Sequence, residues 1–383
     1  MSKTIQELTA LTTPPEYRPS SSFDEAKGSG TFTAPVQGDD LETGNWDSTL
    51  QWMGFDPDHF EVVSETVRVS SWQSFSGDQL HAVRANIRRK PVGGPNVSDL
   101  IERIHSSDPI SEKSGGSGHR VIFLTDTHIG KGEVDGGGSE LLVDRWRSGV
   151  AGALEDGYQV PWETVTIALG GDLIEGYESQ GGKNIANSDL TLTDQVSVAQ
   201  QLVLWTVKKA LEVSKEVTVV TVPGNHGDVS RVQGRPMRDS YDIQLTRSVE
   251  LACEAAGLDN VSFLYPEESR PDISWTIGDI GDGGARVTMV HGHTFKGGPH
   301  KGSETWWTGQ ITNSRPSEHS SILLYGHFHT FSVKNWSQSR WTIGGSALET
   351  ESTWFANTTG SRGRPGVTAF DIEDGEPRYT AVY

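Results

Sequence analysis

At 383 residues the chain is long enough for one large α/β domain plus an appendage, and 51 acidic against 32 basic residues give a formal charge of -19. A single cysteine, Cys253, excludes an intramolecular disulfide framework and a Cys-rich zinc site. The longest apolar runs are strand-sized, so no membrane span is expected, and Met1 to Pro14 lacks the basic start and apolar core of a secretion signal. These features predict a cytoplasmic protein whose acidity argues against a broad, non-specific grip on nucleic acid but leaves room for a local basic groove.

Residues 1–44 read as a disordered tail, because Thr13-Pro14-Pro15, Ser20-Ser21-Ser22 and Gly28-Ser29-Gly30 carry no apolar period. Residues 45–117 read as a small accessory α+β segment and linker. Trp52, Phe55, Phe60, Val62 and Val63 could form its core, and Val67 and Val69 alternate with polar residues as in a half-buried strand. Leu80 to Ile87 looks like the partner strand, with Ser76-Gly77-Asp78 as the turn. Arg84, Arg88, Arg89 and Lys90, with Trp72 upstream, suggest a basic strand edge. Such an edge suits a nucleic-acid backbone, or simply blunts the sheet against further pairing. A short helix over about Val97 to Ile104 is flanked by hinge-like segments at 91–95 and 113–118.

From 118 to 383 strands and helices alternate, the pattern of an α/β domain. Strands are predicted at 121–124, 165–169, 217–222, 287–290 and 322–325, and helices at 141–154, 193–213 and 241–256. The end of the chain turns to short strands at 341–343, 367–372 and 379–383. Each of the five apolar strands runs into a polar cluster. In order these are Asp126-Thr127-His128, Gly171-Asp172, Gly224-Asn225-His226, His291-Gly292-His293 and Gly326-His327-Phe328-His329. In open α/β sheets the ligand crevice lies beyond the carboxyl ends of the strands, so five such clusters aim at one place. Carboxylates, an amide oxygen and imidazoles without thiolate suit Mn, Fe or Zn rather than a soft metal. Seven such ligands are too many for one tetrahedral ion and fit two ions sharing a carboxylate. Any one of these clusters alone is most simply a turn; the sense lies in their conjunction.

This ordered set resembles the signature of the calcineurin-like metallophosphoesterase superfamily (D-x-H, G-D, G-N-H, H, G-H-x-H), over about Arg120 to Tyr383. The resemblance implies a four-layer α/β/β/α sandwich behind the small N-terminal accessory domain. By position it implies one divalent ion held by Asp126, His128 and His329, and a second by Asn225, His291 and His327, with Asp172 bridging. Manganese is the first choice, with zinc, iron or magnesium as alternatives. His226 would assist the leaving oxygen during in-line attack of a metal-bound hydroxide, with Glu175 or Asp228 as its supporting acid. The residue after His226 is Gly227, where relatives carry an acid. His293, together with Arg231, Arg235 and Arg238 in the loop beyond, is assigned to substrate binding, since three arginines in eight residues are out of character here.

The spacing and Gly171-Asp172-Leu173-Ile174-Glu175 look more like the recombination-repair nuclease branch, including phage proteins with long N-terminal extensions, than like compact phosphatases. The expected function is a two-metal phosphodiesterase acting on DNA or RNA. The alternatives are a phosphomonoesterase on nucleotides or phosphoproteins, and an inactive interaction scaffold of the same fold. Nucleic acid is the expected partner, with a homodimer or an ATPase subunit open.

Overall fold

The computed structural model describes residues 18–24, 29–36, 40–73, 79–90, 94–106, 118–132, 138–156, 162–232, 234–349 and 363–383. The chain divides into two compact units, Met1–Gly93 and Gly94–Tyr383.

The first unit is an antiparallel sheet. Strands β1 (Ser20–Asp24), β2 (Ser29–Pro35), β3 (Phe60–Val62), β4 (Arg68–Gln73) and β5 (Gln79–Arg89) run in the order β1-β2-β5-β3, with β4 also on β5. Residues 20–24 and 29–35, expected in a tail, therefore belong to the sheet. Their alternation of hydroxyl and apolar side chains, as in Thr31-Phe32-Thr33-Ala34, fits a strand with one buried face. Two short helices, α1 (Asp40–Thr43) and α2 (Asp47–Trp52), follow β2. Phe32, Ala34, Leu50, Val83, Ala85 and Ile87 form the core, with Trp46, Phe55 and Val62 against it. The central strand is β5, paired with β2 on one side and with β3 and β4 on the other. Its arginines thus lie on a sheet face rather than on an edge. The turn expected at Ser76-Gly77-Asp78 lies outside the described residues.

The second unit begins earlier than the composition suggests. Helix α3 (Val97–His105) buries Leu100 and Ile104 in the same core as the helices that follow, which ties it to this unit. Asn96 caps it by accepting from the Ser98 N–H. Two sheets then form. The first has the order β16-β15-β6-β7-β8-β9, built from β6 (Gly118–Leu124), β7 (Trp162–Leu169), β8 (Ser214–Thr221), β9 (Val261–Leu264), β15 (Thr368–Glu373) and β16 (Glu376–Val382). Strands β6 to β9 are parallel, and β15 and β16 close the edge antiparallel. The second sheet has the order β10-β11-β12-β14-β13, from β10 (Asp272–Ile277), β11 (Ala285–Val290), β12 (Ile322–Tyr325), β13 (Ser332–Ser337) and β14 (Arg340–Gly344). Its inner strands β11, β12 and β14 are parallel.

Strand alternation distributes the apolar side chains into layers. Ile122, Leu124, Val165, Ile167, Leu169, Val217 and Val219 pack against α3, α4 (Gly138–Glu155), α5 (Leu192–Leu211) and α6 (Tyr241–Ala255). Val121, Phe123, Ala168 and Val220 point the other way and meet Val287, Met289, Ile322, Leu324 and Ile343 of the second sheet. Val290 and Leu323 on that sheet's outer face cover Trp307 of α7 (Pro299–Thr312). The result is an α/β/β/α sandwich. Helix α7 was not foreseen. Two glycines and three threonines weaken its intrinsic preference, and Gly302, Ser303 and Trp307 are its buried residues. Among the described residues no helix is long and apolar enough to cross a membrane.

Candidate metal centre

The parallel strands β6, β7, β8, β11 and β12 each end immediately before one of the polar clusters, so their carboxyl ends deliver Asp126, His128, Asp172, Asn225, His226, His291, His327 and His329. The backbone at these ends is bent hard. Asp126, His128, Asp172, His327 and His329 all have positive φ, between 46° and 69°. Side chains rarely adopt this conformation, at a cost of about 1–3 kcal/mol each, and such outliers concentrate at functional sites. Close backbone approach adds a second constraint. A Cβ on Gly224 would stand 2.1 Å from Asp172 Oδ1, so only glycine lets the third loop lie against the second.

Among the described residues three clusters of ligand-type atoms result, one of them His128, Glu175 and His226. Asp126, His128 and His329 offer atoms within 4.8 Å of one another, and so do Asp172, His291 and His327. Asn225 joins the second group, its Oδ1 lying 3.2 Å from His291 Nε2. Within the groups, His329 Nε2 is 3.3 Å from Asp126 Oδ1 and 3.3 Å from His128 Nε2, and His291 Nε2 is 2.9 Å from Asp172 Oδ2.

The opposite ring nitrogens are held from behind. His128 Nδ1 is 2.9 Å from Glu175 Oε2, His291 Nδ1 donates to the Gly170 carbonyl at 2.8 Å, and His329 Nδ1 is 2.9 Å from Glu349 Oε1. An oxygen partner on Nδ1 fixes the tautomer and leaves Nε2 with a lone pair, the arrangement found behind metal-ligating histidines. The donor set and its orientation therefore fit divalent metal ions. Asp126 is buried, which works to raise its pKa, but His329 and His291 hold it well below the usual carboxylate range. Asp172 is likewise held low against its burial by His291 and His226.

His226 is placed differently. Its Nδ1 donates to the Glu175 carbonyl at 2.8 Å and its Nε2 lies 2.9 Å from Ser179 Oγ. Its backbone N–H donates to Asp172 Oδ1 at 2.6 Å. Burial works to lower its pKa, but Asp172 and Glu175 outweigh it and push it up to about 9. Glu175 Oε2 stands 3.4 Å from His226 Nδ1 as well as against His128. Burial would raise this carboxyl, but the two imidazoles bring it down to about 2. Of the two acids offered as support for His226, the structure puts Glu175 beside it. Asp228 is engaged instead by Arg235, with Arg231 Nε at 3.9 Å.

The arginine loop does not act as one cluster. Arg235 is tied to Asp228 and donates to the carbonyls of Pro236 and Asp239, which makes it a brace within the loop. Arg238 lines a surface hollow with Tyr241, Ile243 and Arg247. Arg231, largely exposed, donates to the Asn225 carbonyl at 3.1 Å and so stands at the rim of the centre. His293 has its ring 5.5 Å from that of His291 and 6.3 Å from that of His327. Burial and the neighbouring His291 push its pKa down to about 3, and its buried Nδ1 has no hydrogen-bond partner among the described residues.

Two buried acids were missed in the sequence. Glu349 follows β14, which runs parallel to β12, and pairs with Lys131 as well as with His329. Asp242, in the first turn of α6, accepts the Leu173 N–H at 2.9 Å through Oδ1 and the Gly224 N–H at 2.9 Å through Oδ2. It thus fastens the loop of Asp172 to the loop of Asn225. Burial and nearby Asp172 push its pKa up to about 6. Asp242 also accounts for Gly227, because a Cβ there would meet Asp242 Oδ2 at 2.2 Å.

No family model matches the chain, and no curated protein does. Among solved structures it is similar to Vps29 of Entamoeba histolytica complexed with zinc, at 14% identity over 67% of this chain and 88% of that one, TM-score 0.30. It is also similar to vacuolar protein sorting 29 of Cryptosporidium parvum, at 12% identity over 70% and 97% of the two chains, TM-score 0.31. A conserved Streptococcus pneumoniae protein described as a predicted phosphoesterase matches at 14% identity over 70% and 95%, TM-score 0.28. Likenesses this slight bear on no activity, and the fold rests on the sheets and cores described above.

Proposed function

We propose that the chain is a two-metal phosphoesterase of the calcineurin-like type, acting on phosphodiesters of nucleic acid. The observation that carries this is the set of three histidines whose Nδ1 atoms are each held by an oxygen, with Nε2 converging on Asp126, Asp172 and Asn225. Asp126, His128 and His329 would hold one ion, and Asn225, His291 and His327 the other, with Asp172 shared. Such a pair, when bound, polarises the phosphoryl oxygens and supplies an activated water.

The chain's own groups do the rest. His226 is set apart from both ligand groups in role, because Nδ1 is committed to the Glu175 carbonyl and Nε2 faces a hydroxyl rather than a carboxylate. Asp172 and Glu175 favour its protonated form, from which a proton can pass to the leaving oxygen. Arg231 at the rim would meet a phosphate flanking the scissile one, and His293 Nδ1, without a hydrogen-bond partner among the described residues, would offer a further polar contact to substrate.

The test is metal analysis of the purified protein together with hydrolysis of bis-p-nitrophenyl phosphate against p-nitrophenyl phosphate, and of DNA and RNA oligonucleotides with Mn²⁺. Two ions per chain, falling to one or none in Asp172→Ala, with preference for the diester, is the expected result. Preference for the monoester, with oligonucleotides left intact, would replace this reading with a phosphomonoesterase.

A further inference from the structure

In the first unit, the register places Arg68 directly opposite Arg84, Ser70 opposite Ala82 and Trp72 opposite Leu80. On the other side of β5, Arg84 faces Thr33, Asn86 faces Thr31 and Arg88 faces Ser29. Because directly paired residues share a face, Arg68, Trp72, Arg84, Asn86, Arg88 and Thr31 all lie on the side away from Phe32, Val83, Ala85 and Ile87. Arg68, Arg84, Asn86, Arg88 and Thr31 are exposed.

Like charges directly across an antiparallel pair are destabilising. Among the described residues neither guanidinium of the central pair meets a carboxylate. Arg68 donates to the carbonyls of Glu65 and Val67, and Arg84 has no carboxylate partner among the described residues. Arg88, by contrast, is matched by Glu61 at 2.6 Å. Thr33 and Ala82 beside Arg84 are buried, and within a chain of charge -19 two exposed, facing arginines with no carboxylate partner among the described residues are an electrostatic cost without an internal reason. Arg84 and Arg88 are four residues apart on one strand, about 13–14 Å at the usual rise. One phosphate can meet the facing Arg68 and Arg84, and a second phosphate of the same chain would compete with Glu61 for Arg88. The half-buried Trp72 on the same face adds an aromatic surface of the kind on which unpaired bases stack.

We infer that this sheet face is a docking surface for single-stranded nucleic acid, with the phosphate backbone crossing the Arg68–Arg84 pair. Its place in the protein's work rests on the phosphodiester reading of the metal centre, but its test does not. The assay is binding of a fluorescein-labelled single-stranded DNA 20-mer to the full chain in EDTA, by anisotropy, over a range of salt. The variant is Arg68→Gln/Arg84→Gln.

Each lost phosphate contact on a single strand reduces the log–log salt slope by about 0.7, so the double variant should flatten it by about 1.4. Its melting temperature should hold or rise, since two facing positive charges are gone, and its hydrolysis of bis-p-nitrophenyl phosphate should equal that of the parent. An unchanged slope, a lowered melting temperature, tighter binding of a duplex of the same length, or preference for anionic lipid vesicles would each overturn the inference. Binding without any DNA cleavage in Mn²⁺ would sustain this surface and refute the nuclease reading.

Discussion

The fastening of two metal-bearing loops by Asp242 can be tested by a double-mutant cycle with Gly227. Asp242→Ala removes the acceptor of two buried N–H groups, those of Leu173 and Gly224. Each orphaned buried donor costs about 1–3 kcal/mol, or about 2–6 kcal/mol for the pair. Removing a carboxylate buried near Asp172 offsets part of this, so the measured loss should fall in the lower half of that range. Gly227→Ala puts a methyl 2.2 Å from Asp242 Oδ2 and 2.7 Å from its Cγ, an overpacking expected to cost about 1–3 kcal/mol.

The backbone at Gly227 is not in the positive-φ region, so the clash is with the carboxylate and not with the conformation. In the Asp242→Ala background only Ser240 Oγ, at 3.0 Å, stays close, so most of the cost of Gly227→Ala should vanish. Urea denaturation of the four proteins therefore predicts a favourable coupling of about 1–3 kcal/mol. Additivity to within about 0.5 kcal/mol would refute the claim that the two positions compete for one space. Metal titration gives a second readout. Asp242→Ala should weaken binding about 10–100-fold, as loss of a supporting contact behind ligands does, whereas a purely structural helix cap would leave affinity intact.

What was legible in the sequence was whatever lay within a few residues of an apolar run. Asp126, Asp172, Asn225, His291 and His327 lie one to four residues past a strand in short polar clusters, so local pattern and general sheet geometry suffice to gather them. Glu349 comes five residues after β14, in Ser346-Ala347-Leu348-Glu349, and no local signal marks it. It reaches His329 only because β14 lies parallel to and beside β12, a pairing fixed by tertiary packing. Asp242 was hidden for the opposite reason, since an acid in the first turn of a helix already has an ordinary explanation in the helix dipole. The three arginines near Asn225 were adjacent in sequence and separate in role, because Asp228, one residue past the expected acid position, draws in Arg235. In the first unit β1 was missed because Phe23 stands alone among serines, and its partner strand β2 supplies the pairing that no short-range pattern records.

Further outcomes follow from the same contacts. Glu349→Gln removes the charge behind His329 and should weaken metal binding about 10–100-fold, read by competition with a chromogenic chelator; unchanged affinity would mean that Glu349 serves Lys131 alone. His226→Ala should keep its metal content while hydrolysis falls about 10²–10⁴-fold, with a smaller loss on diesters whose leaving group needs no proton; a variant stripped of metal would make His226 a ligand instead. Arg231 and Arg235 should separate cleanly, although they are neighbours in one loop. Arg235→Ala breaks a partly buried ion pair and two hydrogen bonds to carbonyls, so it should lower the melting temperature and leave Asp228 with Arg231 alone. Arg231→Ala removes an exposed side chain bound to one carbonyl, so stability should hold. On oligonucleotides, however, it should raise KM and flatten the salt dependence by about one phosphate contact, with bis-p-nitrophenyl phosphate nearly unaffected. Equal losses on both substrates would mean that Arg231 acts through Asn225, shaping the metal loop rather than meeting the substrate.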